Sequence, residues 1–213
     1  MGIDAKTVGE LRDRTGAGMM AAKKALTESN GDMDAAIEIL KKSGAAKAAK
    51  RSGRSTGEGL IYSYIHGTGK LGVMLELQCE TDFVARNEDF KELAHQISMH
   101  IAAADPQYLD VAGVPADDVA KATAQFSEEA AGKPEDVIAK IVEGKLDKWY
   151  GESVLLKQEF VMDDSKKIED VLTEAVARIG ENMRISRFAR FNIEGGMIAC
   201  GMSDLPEVIG EEE

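Results

Sequence analysis

At 213 residues the chain can bury a full core, either as one large domain or as one medium and one small domain. Charged residues make up 30% and hydrophobic residues 44%, the balance of a water-soluble globular protein. A formal net charge of -12 excludes broad, sequence-independent contact with nucleic acid, which depends on a surplus of Lys and Arg.

The first fifty or so residues predict three short helices. Asp4 is placed to cap the first, which carries Val8 and Leu11 and ends before Gly16. The second starts near Met19, turns Ala22, Ala25 and Leu26 inward, and stops at Asn30-Gly31. The third starts after Asp32 and repeats apolar positions at Met33, Ala36, Ile37 and Leu40. Helices this short are marginal singly and must pack on one another. The basic segment 47–54 then reads as a solvated linker, with a domain boundary near residues 51–58.

Beyond it the period changes from 3.6 to 2. Leu60, Tyr62 and Tyr64 alternate with Ile61, Ser63 and Ile65, and after a Gly-rich turn Val73, Leu75, Leu77 and Cys79 alternate with Met74, Glu76, Gln78 and Glu80. This predicts a hairpin with one polar-leaning face. Asn87 caps a helix with the stripe Phe90, Leu93, Ala94, Ile97 and Ile101. Helical segments follow near 116–131 and 134–150, then a strand at 154–161. A helix through Ile168, Leu172, Ala175 and Ile179 and a last strand at 184–193 complete the pattern, ahead of a tail that ends in three Glu. The fold class expected is α+β, an antiparallel sheet packed with helices and preceded by a three-helix module.

No phosphate-binding, nucleophile-elbow or zinc-protease motif occurs. His66 reads as a turn residue. His95 and His100 lie five apart, about 140° around a helix, so they make no metal pair and read as surface or rim residues. Cys79 points with the buried strand residues, and nothing near Cys200 lowers its pKa. Two cysteines make no disulfide framework, no metal or cofactor is expected, and no apolar run reaches membrane-spanning length. With no leader-like opening, the expectation is a cytoplasmic protein without membrane contact.

Two places break the local rules. Phe83, in Thr81-Asp82-Phe83-Val84, falls on a connection where residues are usually polar. Either Phe83 or Val84 staples the next helix, or Phe83 is an exposed aromatic anchor for a partner. At Met19-Met20, adjacent helix positions point about 100° apart, so a small core takes one Met fully but hardly both. The other is a candidate for adaptable apolar surface, flanked by Arg12, Lys23 and Lys24.

Around these places runs Glu10-Leu-Arg-Asp-Arg-Thr-Gly-Ala-Gly-Met-Met20, then Lys23-Lys-Ala-Leu26 and Cys79-Glu-Thr-Asp-Phe-Val-Ala-Arg-Asn-Glu-Asp-Phe90. Those stretches closely resemble the elongation factor Ts family, and Phe160-Val-Met-Asp-Asp-Ser165 and Arg187-Phe-Ala-Arg-Phe191 look like that family too. The resemblance implies a guanine-nucleotide exchange factor, not an enzyme, whose partner is elongation factor Tu in its GDP form, with no direct nucleic acid contact. It implies a ubiquitin-associated-like module over residues 1–54 that docks through Leu11, Arg12, Thr15, Met19, Met20 and Lys23. It implies a core over 55–195 whose Thr81, Asp82, Phe83 and Val84 reach the nucleotide side, and a flexible acidic tail over 196–213. In that family the Phe wedges between two GTPase helices and disturbs the magnesium and phosphate site. Longer members carry two related halves of the core and this chain carries one; short members can pair as homodimers. The alternative is an adaptor or chaperone that binds through the N-terminal helices and has no use for Phe83. A thiol enzyme using Cys200 stands third.

Overall fold

The computed structural model describes residues 3–193 and the backbone of residues 200–202. It opens with α1 (Ala5–Thr15), α2 (Met19–Glu28) and α3 (Met33–Arg51). Gly16 closes α1 at φ 65°, a left-handed conformation that suits glycine. Asp32 caps α3 by accepting the Ala35 N–H at 3.0 Å, whereas the Asp4 side chain makes no capping bond at the start of α1. Val8, Leu11, Ala22, Ala25, Leu26 and Ala36 form a small core between the three helices.

The hairpin follows as β1 (Glu58–His66) and β2 (Leu71–Cys79), with Leu60 opposite Leu77, Tyr62 opposite Leu75 and Tyr64 opposite Val73. Next come α4 (Asp82–Ala85), α5 (Glu88–Ala104), α6 (Ala116–Glu129) and α7 (Glu135–Ser153). The strand expected at 154–161 is replaced by a 3-10 turn (Leu155–Lys157) and a second hairpin, β3 (Glu159–Phe160) and β4 (Asp163–Lys167). The reason is visible in the burial: the neighbours Val154 and Leu155 are both fully buried, which alternation in a strand does not allow.

The chain continues through α8 (Ile168–Ile179), β5 (Met183–Asn192) and β6 (Cys200–Met202). Strands pair antiparallel in the order β1-β2-β5-β6. The architecture is α+β: one face of the sheet, with Val73, Leu75, Leu77, Ile185 and Phe188, packs on Phe90, Ile97 and Ile101 of α5 and Ile168 and Leu172 of α8. Arg190 ties the sheet to the end of α5, donating to the Ala102 carbonyl at 3.2 Å and pairing with Asp105 at 2.9 Å. The acidic tail expected over 196–213 is interrupted by β6, which pairs with β5 from Ala189–Cys200 to Arg187–Met202. The rest of it lies outside the described residues.

Two further expectations change. The basic segment 47–54 is not wholly a linker, because α3 runs on to Arg51 and its Ala48 packs against the main core. Small residues make this possible: a Cβ added to Gly44 would sit 3.2 Å from the Ala177 Cβ of α8. Gly44 and Ala48 are half-buried on this part of α3, while Lys47 and Lys50 stay exposed and carry charge to solvent.

His100 is fully buried, not a rim residue. Its Nδ1 accepts the Val161 N–H at 3.3 Å, which leaves Nε2 to donate to Gln158 Oε1 at 2.9 Å. The Gln158 amide in turn donates to the Glu152 and Ala104 carbonyls, so the ring is held neutral in a satisfied network. Burial holds the His100 pKa below its ordinary 6.5. The unfolded chain therefore takes up the proton first, and the contribution to stability is full above pH 6.5 and is lost as pH falls towards the folded value. Urea titrations between pH 7 and 5 should show a fall in stability that is shallower in His100→Gln by up to about 1.4 kcal/mol per pH unit. Parallel slopes for the two proteins would contradict this.

Candidate partner-binding site

The segment Thr81–Val84 leaves β2 as a single helical turn, α4, with Thr81 as its N-cap. The Thr81 hydroxyl accepts the Val84 N–H at 3.4 Å, and Asp82 pairs with Arg86 at 2.8 Å across the turn. Val84 and Ala85 pack against the main core, whereas Phe83 is 80% exposed. The two sequence readings thus divide between neighbours: Val84 anchors the turn and Phe83 projects from it. An aromatic ring left on solvent by a short turn is a candidate for contact with a partner.

The backbone under Phe83 is braced from a hundred residues away. Glu181, in the connection between α8 and β5, accepts the Thr81 hydroxyl at 2.7 Å, the Thr81 N–H at 3.0 Å and the Glu80 N–H at 3.2 Å. In return Glu80 accepts the Asn182 N–H at 2.6 Å, which holds the Glu80 carboxyl below the ordinary carboxylate pKa. The Asn182 amide donates to the carbonyls of Ser52 and Arg54, just beyond α3. Neither Glu181 nor Asn182 was singled out by the sequence, where an acid and an amide between a helix and a strand look like ordinary connection residues.

Cys79 is buried behind this turn and donates to the Thr81 carbonyl at 3.2 Å. Burial first, and the Glu181 charge second, push its thiol up to about 11, so it is a packing residue and no nucleophile.

On the N-terminal helices neither methionine is fully taken into the core: Met19 is 50% and Met20 77% exposed. Ala22, Ala25 and Leu26 already fill the space between the helices, and Met19 sits in the first turn at its rim. Arg12 and Lys23 are exposed beside them, Arg12 paired with Asp13 at 3.0 Å. Leu11 is a correction. It is completely buried in the small core and has no surface to give a partner. Thr15 is half-buried and occupied locally, donating to the Leu11 carbonyl at 2.7 Å and accepting the Ala17 N–H at 3.3 Å. Arg12, Met19, Met20 and Lys23 remain as the accessible face. That face lies over the small N-terminal core, and Phe83 projects from a turn whose Val84 and Ala85 pack against the main core; α3 contributes side chains to both cores.

The outer face of the sheet is less polar than expected. Ile61, Ile65, Met74 and Phe191 are exposed on it, and Ile65, Gly72 and Phe191 lie in one cross-strand row. Among the described residues no group of three or more His, Cys, Asp or Glu could hold a metal ion, and no helix is long and apolar enough to cross a membrane.

Comparison with known proteins gives a single answer. The family model for Elongation factor TS matches residues 20–176. The chain is 54% identical to Elongation factor Ts of Fervidobacterium nodosum over 195 residues, covering 91% of this chain and 99% of that protein. It is 53% identical to Elongation factor Ts of Thermosipho melanesiensis over 193 residues, 90% and 98% of the two chains. With Elongation factor Ts of Thermotoga maritima it shares 46% identity over 196 residues, 92% and 98% of the two chains.

Proposed function

The chain belongs to the elongation factor Ts family, and on that premise we propose that it is a cytoplasmic guanine-nucleotide exchange factor acting in translation elongation. It binds elongation factor Tu in the GDP form and promotes release of GDP, making and breaking no covalent bond. The observation that carries this reading is the exposure of Phe83 on a turn whose N-cap, Thr81, is tied to Glu181 through both its N–H and its hydroxyl. Phe83 acts as a wedge between helices of the GTPase, with Asp82 beside it, and disturbs the magnesium and phosphate site. Magnesium demands near-ideal octahedral geometry, so a small displacement of its ligands is enough to weaken it.

Linkage sets what the wedge must achieve. A factor that loosens GDP is itself bound more weakly by the GDP form, by the same factor. A thousandfold loosening corresponds to about 4 kcal/mol of coupling. Burying one Phe contributes about 1.5–3 kcal/mol, so the remainder comes from other contacts. Arg12, Met19, Met20 and Lys23 supply them from a ubiquitin-associated-like docking module over residues 1–54, with the core over 55–195 presenting Phe83. The exposed apolar row on the outer face of the sheet supports a homodimer, in which a second copy covers Ile65 and Phe191.

Size-exclusion chromatography tests the reading. The chain should co-elute with nucleotide-free elongation factor Tu and dissociate when GDP is added in excess. Met20→Asp should weaken the complex roughly tenfold or more, because it puts a charge at an apolar contact, and leave the melting temperature unchanged. Absence of a complex would contradict the proposal, and elution of the free chain at monomer mass would contradict the dimer.

A further inference from the structure

We infer that Glu181 is a positioning residue for nucleotide exchange, holding the helical turn that aims Phe83; this rests on the wedge reading above. Four residues of helix are far too few to hold an orientation by themselves. Tertiary contacts must impose it, and on the polar side they converge on one side chain. Three donors from two consecutive residues, the Glu80 and Thr81 N–H groups and the Thr81 hydroxyl, all meet the Glu181 carboxylate. Hydrogen bonds to an ionised acceptor are the strong ones, and the site is half-buried, where they count for more than in water.

The direction of Phe83 follows from this. Thr81 is the N-cap of α4, so fixing its N–H and hydroxyl sets where the helix begins and which way its second residue points. A side chain that meets its partner already oriented does not lose the freedom of a loose loop on binding. The bracket also reaches the docking module. Asn182, next to Glu181, donates its N–H to Glu80 and its amide to the carbonyls of Ser52 and Arg54 where the chain leaves α3. Docking of the N-terminal helices and placement of Phe83 therefore share one rigid frame.

A double-mutant cycle separates positioning from plain stabilisation. GDP-analogue release from elongation factor Tu is measured with the intact chain, Glu181→Ala, Phe83→Ala and the double variant, alongside their melting temperatures. Glu181→Ala should reduce the acceleration at least tenfold on the intact background and less than twofold on Phe83→Ala, because a positioning residue has nothing left to position. Glu181→Gln should recover most of the activity, since its carbonyl accepts both N–H groups and its amide donates to the Thr81 hydroxyl oxygen. Full acceleration by Glu181→Ala, or an equal loss on both backgrounds, would overturn the inference. Should Glu181→Ala not fold, Thr81→Val removes the hydroxyl, and with it both the bond to Glu181 and the cap on the Val84 N–H. That variant is expected to slow release; full acceleration by a folded Thr81→Val would then overturn the inference. Failure of the intact chain to accelerate release would strike the exchange reading itself, a different result from full activity in Glu181→Ala beside a slow Phe83→Ala.

Discussion

Replacing Phe83 with alanine is expected to slow GDP release driven by this chain by roughly 10- to 140-fold, while the protein itself stays as stable as before. The magnitude follows from losing about 1.5–3 kcal/mol of apolar burial, at about 1.4 kcal/mol per factor of ten. Unchanged stability follows from position: with 80% of its surface exposed, Phe83 contributes little to the folded chain, and surface changes of this kind stay within about 0.5 kcal/mol. Stopped-flow release kinetics and thermal melting of the same samples read both halves. A destabilised Phe83→Ala would mean the ring packs on its own chain. A stable variant with full exchange activity would remove the wedge and leave the N-terminal face to explain the function.

Gly59→Ala is expected to destabilise the fold by about 3 kcal/mol or more, the largest single-residue effect on stability we anticipate. Gly59 lies in β1 opposite Gln78, and a Cβ there would sit 2.3 Å from the Leu77 carbonyl oxygen and 2.8 Å from the Gln78 Cα. Both are backbone atoms of the central strand, so no side chain can swing aside and the strands must move apart. Its φ of 154° is also one that a side chain rarely adopts. The strain would fall directly behind the exchange turn, since the next pair along is Glu58 with Cys79. Denaturant unfolding should show a midpoint well below that of the parent, with a melting temperature lower by roughly 6–12 °C for a chain of this size. A shift of a degree or two would mean that the β1–β2 pairing is looser than the register describes.

The elements that could be read from the sequence are those with a clear period and a cap. Val73 to Cys79 alternates cleanly and becomes the central strand, and Asn87 followed by the Phe90 to Ile101 stripe becomes α5. Segment 154–161 departs from the expected strand because a run of apolar and β-tolerant residues says nothing about whether alternate positions face the core. His100 was misplaced for a related reason: its partner Gln158 lies 58 residues away, and no local pattern marks a buried polar pair. The candidate site was half legible. For Phe83 the local pattern leaves a staple and an exposed anchor both open, and for Met19-Met20 it requires only that one methionine stay outside. The burial of Leu11, by contrast, follows from its place on the apolar stripe of the first helix. Glu181 was invisible, since its role arises when the α8–β5 connection is brought beside the end of β2. Long-range pairing of that kind leaves no periodic trace in the chain.

The docking face lies over the small core and Phe83 beside the main one, yet α3 packs on α8 and the Asn182 amide reaches the carbonyls of Ser52 and Arg54. Under the exchange proposal one partner meets both surfaces, which separates an exchange factor from an adaptor that binds through its N-terminal helices alone. An adaptor would hold elongation factor Tu and leave its nucleotide in place.

The most direct measurement is the rate at which a fluorescent GDP analogue leaves purified elongation factor Tu as the intact chain is titrated in. The rate should rise with chain concentration to a plateau far above spontaneous release, and raising free magnesium should oppose it. A rate that stays at the spontaneous value across the titration would contradict the exchange function.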